Sequence, residues 1–271
     1  MPATLSRGEA AGSLRPFAAQ QAVFVALLAL LAIACWAALW LWSTSPYARY
    51  LEHPGWLDAA GFAEFCRSVA APAGVHVLAW LLMIAAMMLP TTYPLLAMFR
   101  RITAGRADGA LLTVLVVAGF VAVWLAFGVV ADAADAAVQT LAARSDWVLV
   151  HGWAIGAAVL AGAGLFQFSG LKYRCLEQCH ARFGFVASRW HGAHPKVEAM
   201  RIGIDHGTFC VGCCWALMLV MFVVGTGSVG WMLALAAAMA AEKNLPWGRR
   251  LRTPIGLALI GSACALVAIN A

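Results

Sequence analysis

Long stretches without charged residues are the feature that most constrains how this chain can fold. Residues 17–42 contain no Asp, Glu, Lys or Arg, and neither do residues 206–241. A helix needs about 20 apolar residues to cross the roughly 30 Å hydrocarbon core of a bilayer. Only 11% of the residues are charged, against roughly 25% in soluble domains. The sequence therefore predicts an all-α, polytopic membrane helix bundle covered by the lipid bilayer.

We predict about seven transmembrane helices in one transmembrane domain, residues 17–271, after a flexible N-terminus at 1–16. The run at 206–241 is too long for one crossing, and the Gly-rich segment 225–230 divides it into two spans. The predicted spans cover about 17–42, 75–99, 109–131, 147–170, 204–224, 229–246 and 254–270.

The basic residues are distributed unequally between the two sides that these spans define. Fifteen Lys and Arg fall on the side of the N-terminus, and three fall on the other side. Cytoplasmic loops carry an excess of Lys and Arg, so the N-terminus is predicted to be cytoplasmic. The outer loop 43–74 then contains a predicted amphipathic surface helix around Trp56 to Phe65, and residues 171–202 form a cytoplasmic loop rich in Cys and His.

The fifth span contains potential metal ligands at helical spacing. Residues four apart share a face of a helix, and this spacing aligns His206, Cys210, Cys214 and Met218. Cys213 flanks the same line. Thiolates and thioethers select soft ions, above all Cu(I), while Zn(II) competes where imidazole and thiolate combine. The pattern therefore predicts a metal site that favours copper(I), with zinc as the alternative.

Four further side chains are candidate ligands outside the fifth span. Cys175 and Cys179 are four residues apart in the cytoplasmic loop, where thiols stay reduced and available for metal. Met87 lies in the second span. Glu242 ends the sixth span and is interpreted as a ligand, a proton acceptor or a partner for Lys172, whereas its neighbour Lys243 is interpreted as a side chain that snorkels to the interface.

Several pieces of the sequence resemble the bacterial family of predicted metal-binding integral membrane proteins, a domain of unknown function. The pieces are Ala86-Met87-Met88-Leu89-Pro90, Lys172 with Cys175, Leu176 and Cys179, Gly203 to Met218 with its Cys-x-Gly-Cys-Cys-Trp motif, and Trp231-Met232 followed by Glu242-Lys243. The resemblance covers about residues 75–265, and it departs mildly at Phe166-Gln167, where the family usually has Tyr-Gln. It implies a bacterial inner-membrane location and metal binding, but no established reaction.

These observations favour a protein that moves copper or delivers it, with a metallochaperone or a cuproprotein as its partner. No ATP-binding loop, nucleic-acid groove or hydrolase motif occurs in the sequence, so an enzyme is disfavoured. Two alternatives remain open. One is a membrane thiol oxidoreductase that uses Cys210 and Cys213, which have the spacing of a redox pair. The other is a structural subunit of a membrane complex whose cysteines hold a static metal.

Overall fold

The computed structural model describes residues 7–46, 48, 73–225 and 228–270. Within these ranges the secondary structure is helical and contains no strand, which confirms the predicted all-α class. The α-helices, numbered here in chain order, are α1 (Arg7–Ser43), α2 (Ala73–Met83), α3 (Tyr93–Ile102), α4 (Gly109–Ala143), α5 (Asp146–Val150), α6 (Gly152–Phe166), α7 (Gly170–His180), α8 (Arg182–Ala187), α9 (Pro195–Val224), α10 (Val229–Asn244) and α11 (Gly248–Asn270). The amphipathic helix predicted around 56–65 lies outside the described residues.

Four of the described helices are long and apolar enough to cross a membrane. These spans are Ala19–Ser43, Gly109–Ala142, Pro195–Val224 and Gly248–Asn270. The number rises to six if each of two bent helix pairs is counted as one span. Helix α10, at 16 residues, is not among them, so the predicted count of seven is not confirmed. Many large apolar side chains, including Leu27, Val129 and Leu257, lie on the outer surface, as expected where lipid replaces water.

The second predicted span is bent at Pro90. Proline has no N–H to donate and its ring displaces the carbonyl of the preceding turn. The helix responds with a π-helical segment, Ile84–Met88, in which the Leu89 N–H donates to the carbonyl of Ile84 over 2.9 Å. A short 3₁₀ turn, Pro90–Thr92, follows before α3 begins. The extra residue in the π turn brings both Met87 and Met88 to the buried side of the helix.

The fourth predicted span ends in a second bend. Helix α6 stops at Phe166, and α7 begins at Gly170 at an angle of 60° to it. The hydroxyl of Ser169 caps α7 by accepting the backbone N–H of Lys172 over 3.1 Å. Residues predicted as the start of a cytoplasmic loop thus form a helix, and its buried face consists of Lys172, Cys175, Leu176 and Cys179.

Helix α9 is the central element, and it packs most extensively against α4. Glycines make this close approach possible. A Cβ atom added at Gly203 would fall against the carbonyl oxygen of Val116, and one at Gly207 would lie 3.2 Å from the carbonyl of Phe120. Small residues four apart are a common basis of close packing between membrane helices. The pair therefore fixes the position of the Cys-containing part of α9, which begins one turn later.

We expect Gly203→Ala to destabilise the protein because the added methyl group has no room beside Val116. Overpacking of this kind costs about 1–3 kcal/mol. The matched control is Gly261→Ala in α11, where nothing lies within 4 Å of an added Cβ. Thermal unfolding in detergent should give a lower midpoint for Gly203→Ala and an unchanged or higher midpoint for Gly261→Ala. Equal midpoints would contradict the tight α4–α9 contact.

Candidate metal centre

Sulfur atoms dominate the largest buried cluster in the described part of the chain. Six cysteines and seven methionines belong to it, and they come from both bent segments and from α1, α9 and α10. We call these residues the sulfur cluster: Cys35, Met83, Met87, Met88, Cys175, Cys179, Cys210, Cys213, Cys214, Met218, Met221, Met232 and Met239. All six cysteines are free thiols. The predicted Cys and Met ligands of the fifth span therefore lie in one core with the predicted ligands Cys175, Cys179 and Met87.

The thiols of α9 and α7 meet in pairs. The Sγ atoms of Cys213 and Cys214 are 3.4 Å apart. Cys213 also donates its S–H to the carbonyl of Cys210 over 3.2 Å. Cys175 and Cys179 of α7 belong to the same buried cluster as these three thiols. The cysteines predicted in the loop and those predicted in the fifth span thus face each other.

Gly212 explains how Cys175 can come so close to α9. A Cβ atom at this position would lie 2.6 Å from the Sγ of Cys175, well inside van der Waals contact. Glycine is the residue that leaves this space empty. The glycine in the Cys-x-Gly-Cys-Cys-Trp motif therefore provides the space in which the thiol of Cys175 packs.

The methionines complete the surroundings of the thiols. Met218 and Met221 lie on the buried face of α9, while Met87 and Met88 reach the cluster from the π-helical segment. Methionine adapts its shape easily and its thioether is a soft ligand. Met88, which is fully buried, was not among the predicted ligands because helical periodicity gave no reason to choose it over Met87.

His206 is buried on α9, one turn before Cys210. Its ring stacks on Phe120 and meets Phe185 edge-on, with both centroid distances at 5.8 Å. Its Nδ1 atom has no hydrogen-bond partner. Within the described ranges, no three or more His, Cys, Asp or Glu side chains are arranged to hold a metal ion.

Two buried lysines adjoin the thiols. The Nζ atom of Lys172 donates to Glu242 Oε2 over 2.7 Å, with both side chains at most 1% exposed. Of the three roles proposed for Glu242, the structure shows the partnership with Lys172. Lys243 donates to Cys210 Sγ over 2.8 Å and lies 3.7 Å from Met88 Sδ. Its expected snorkelling is therefore wrong, because α10 ends inside the bundle with Lys243 only 3% exposed.

Some buried polar atoms near the bends lack hydrogen-bond partners. They are Glu242 Oε1 and both side-chain polar atoms of Gln167. Unsatisfied polar atoms in a buried setting are costly, so their presence around the sulfur cluster is typical of a functional centre rather than of a core optimised for stability.

A cavity of about 370 Å³ opens from the sulfur cluster toward the end of the bundle predicted to be outside. Met83 and Met232 line its inner part, and Trp80 forms one wall. At its mouth, His76 Nδ1 lies 2.9 Å from Asp132 Oδ1, and both side chains are partly exposed. His76 thus borders the space that leads to the methionines.

Comparison with known proteins adds one decisive observation. The family described as copper chaperone (PpoB2) matches residues 77–266, which is more than half of the chain. The chain belongs to this copper chaperone family. No curated protein and no solved structure matches it. Membership supports the copper-related part of the sequence interpretation, and the matched residues contain every part of the sulfur cluster except Cys35.

We expect the Lys172–Glu242 pair to behave as a unit. Removing one partner of a buried ion pair leaves an uncompensated charge and costs about 3–5 kcal/mol, whereas replacing both with apolar residues is often neutral. Lys172→Met and Glu242→Met should each lower the unfolding midpoint in detergent. The double variant should recover most of the loss. Additive losses in the double variant would contradict the pairing.

We expect Gly212→Ala to displace Cys175 from α9, because the new methyl group would occupy the space of its Sγ atom. Gly162→Ala in α6 is the control, since nothing lies within 4 Å of a Cβ there. The rate at which a small maleimide labels Cys175 should rise in Gly212→Ala and stay unchanged in Gly162→Ala. Both variants are made in a protein whose other cysteines are replaced by alanine, so that only the thiol of Cys175 can react with the maleimide. An unchanged rate in both variants would rule out the contact.

Proposed function

We propose that this protein is a multi-pass bacterial inner-membrane copper chaperone that binds Cu(I) in the sulfur cluster and passes it to a cuproprotein. The observation that carries the proposal is the convergence of five thiols, from α7 and α9, with thioethers inside a bundle of apolar helices. Thiolate and thioether donors select Cu(I) over harder ions. Membership of the copper chaperone family supports the same ion.

The ligand arrangement suits a carrier better than a permanent store. Cu(I) is stable with two or three soft donors. The close pair Cys213 and Cys214 shares one buried cluster with Cys175, Cys179 and Cys210, so several such donor sets with shared members are available. An ion held by shared pairs can move from one pair to the next by exchanging a single ligand. Thioethers of Met83 and Met232 then extend the donors to the wall of the cavity. We infer that this cavity is the route toward the acceptor.

The thiol oxidoreductase is a weaker alternative. Cys213 and Cys214 are close, at 3.4 Å, but the predicted redox pair was Cys210 with Cys213, and the thiol of Cys213 points to the carbonyl of Cys210 instead. The three thiols of α9 are 1% exposed. Thiol–disulfide exchange requires one sulfur atom to reach another. Because the thiols of α9 are buried, the thiol of a protein substrate cannot reach them.

The proposal predicts that copper content depends on the three cysteines of α9. Wild type and the triple variant Cys210→Ser/Cys213→Ser/Cys214→Ser are purified in detergent with reductant, after growth with added copper and zinc. Mass spectrometry of the wild type should give near-stoichiometric copper and little zinc. The triple variant should lose the copper because serine oxygen is a poor ligand for Cu(I).

Cys264→Ser is the matched control, because Cys264 is a free thiol exposed on α11. It should retain the copper of the wild type. A wild-type protein that stays metal-free at equimolar Cu(I) under reducing conditions would overturn the proposal. Stoichiometric zinc in place of copper would overturn the choice of ion. A change in thiol labelling after mild oxidation, without any bound metal, would favour the oxidoreductase.

A further inference from the structure

A second cavity lies at the other end of the bundle from the first, where two of the long apolar helices begin. It has a volume of about 560 Å³ and lies between residues 19–27 of α1 and residues 100–113, which include the turn from α3 to α4. The spans Ala19–Ser43 and Gly109–Ala142 both begin at its walls. We call this space the interfacial cavity, because it lies at the level where the headgroups of a bilayer meet its hydrocarbon core.

The α1 wall of the interfacial cavity is apolar and poorly covered by protein. Val23 and Leu27 line the cavity, and they are 58% and 60% exposed. Only 11% of the most apolar part of this span is buried, against 33% for the span in α4. The main packing partners of α1 are α2 and the π-helical segment. Among the described residues, the first turns of this span therefore present a free apolar face beside the cavity.

Arg100 is the cation on the opposite wall. Its guanidinium group lies over the ring of Phe24, with Cζ 4.3 Å from the ring centroid, and its Nη2 atom reaches the carbonyl of Gln20 only at 3.4 Å. Within the part of the chain that the structure describes, its Nε atom has no hydrogen-bond partner and the guanidinium has no carboxylate partner. Arginine has five N–H donors in a planar arrangement that fits phosphate oxygens. Arg100 therefore retains donors for an anion.

We propose that the interfacial cavity binds an anionic phospholipid, with the phosphate at Arg100 and an acyl chain along the exposed apolar face of α1. Basic pockets between membrane helices bind anionic headgroups in this way. Arg101 is exposed and adds positive charge at the same end of the bundle, while the nearby carboxylate of Asp108 is already paired with Arg106 at 2.8 Å. Lipid binding is a further property of the protein, beyond its proposed role in copper delivery.

Charge and shape together favour an anionic phospholipid over other ligands. Inorganic phosphate would accept the donors of Arg100 but would leave Val23 and Leu27 uncovered. A zwitterionic lipid would cover these side chains, but the cation in its own headgroup competes with Arg100 for the phosphate. An anionic phospholipid satisfies both walls of the cavity.

A bound lipid acts on the rest of the bundle through α1. This helix contributes Cys35 and Leu39 to the core that contains the sulfur cluster. A lipid that contacts α1 with its acyl chain and Arg100 of α3 with its phosphate holds these two helices together at the end where the protein leaves a gap. We therefore expect the bound lipid to raise the unfolding midpoint.

The test uses the delipidated full-length protein in detergent, with phosphatidylglycerol, phosphatidylcholine or inorganic phosphate added at equal concentrations. Native mass spectrometry counts the lipids bound, and thermal unfolding gives the midpoint. Phosphatidylglycerol should bind as a single tightly held copy and raise the midpoint. Phosphatidylcholine should bind more weakly, and inorganic phosphate should leave the midpoint unchanged.

Arg100→Gln should lower the affinity for phosphatidylglycerol by about tenfold, the usual effect of losing a hydrogen bond to a charged group. Arg100→Lys keeps the charge but not the planar set of donors, so it should lose less. Arg174→Gln is the matched control, because it removes the same charge from an exposed position on α7 that does not line the cavity. It should bind phosphatidylglycerol as the wild type does.

Three outcomes would overturn the inference: equal affinity of the wild type for the two lipids, equal losses in Arg100→Gln and Arg174→Gln, or equal stabilisation by inorganic phosphate and phosphatidylglycerol. The last would identify a site for a soluble anion. If Arg100→Gln does not fold, the comparison of the three ligands on the wild type still decides. Copper does not enter these measurements, so failure of the proposed copper function would leave lipid binding unaffected.

Discussion

Charge compensation inside an apolar bundle is the interaction on which the rest of the centre depends. Lys172 and Glu242 connect α7 to α10, and Lys243 connects α10 to α9 through Cys210. Charges in a low-dielectric interior are strongly unfavourable alone and strongly attracted to a partner. These contacts therefore determine where α10 ends and how α7, which follows a 60° bend, turns back into the core. Arg182 completes the junction by donating to the carbonyl of Lys243 and to Asn244 at the end of α10.

Close backbone contacts give the thiols their geometry. Gly203 and Gly207 allow α9 to lie directly against α4, and Gly212 allows Cys175 to approach α9. In a membrane, where apolar side chains gain little from associating with each other rather than with lipid, such close packing is a main source of helix association. The same small residues that stabilise the bundle therefore bring the thiols of α7 and α9 together. Stability and ligand placement depend on the same contacts.

The donor set fits the proposed copper carrier, which would have to hold its ion and still release it. Soft donors bind Cu(I) strongly, so a closed cage of many thiolates would retain it. The sulfur cluster instead offers pairs of thiols, thioethers from three further segments and a cavity beside Met83 and Met232. The His76–Asp132 pair at the cavity mouth provides harder donors, which bind Cu(I) less tightly than thiolates and thioethers do. Transfer out of the cavity would therefore depend on an acceptor with soft donors of its own.

The sequence by itself determined the features that depend on local periodicity. Charge-free runs predicted apolar helices, and the four-residue spacing of His206, Cys210 and Cys214 predicted ligands on one face, because both follow from the geometry of a single helix. The count of seven spans was less secure, since the bends at Pro90 and Gln167 divide two spans and α10 is short. The outer loop and the orientation remain predictions.

Only the tertiary structure decided which helices meet. The contacts of Lys243 with Cys210 and Met88 join residues 33 and 155 positions apart, and Lys172 meets Glu242 across 70 positions. No spacing within one helix indicates such pairs. The π-helical turn buries Met88 as well as Met87. The bend before α7 places Cys175 and Cys179 in the core rather than in a solvated loop. The sequence determines which candidate ligand types are present. Helix packing decides which of these side chains come together and which charges pair, because it determines which side chains share one low-dielectric interior.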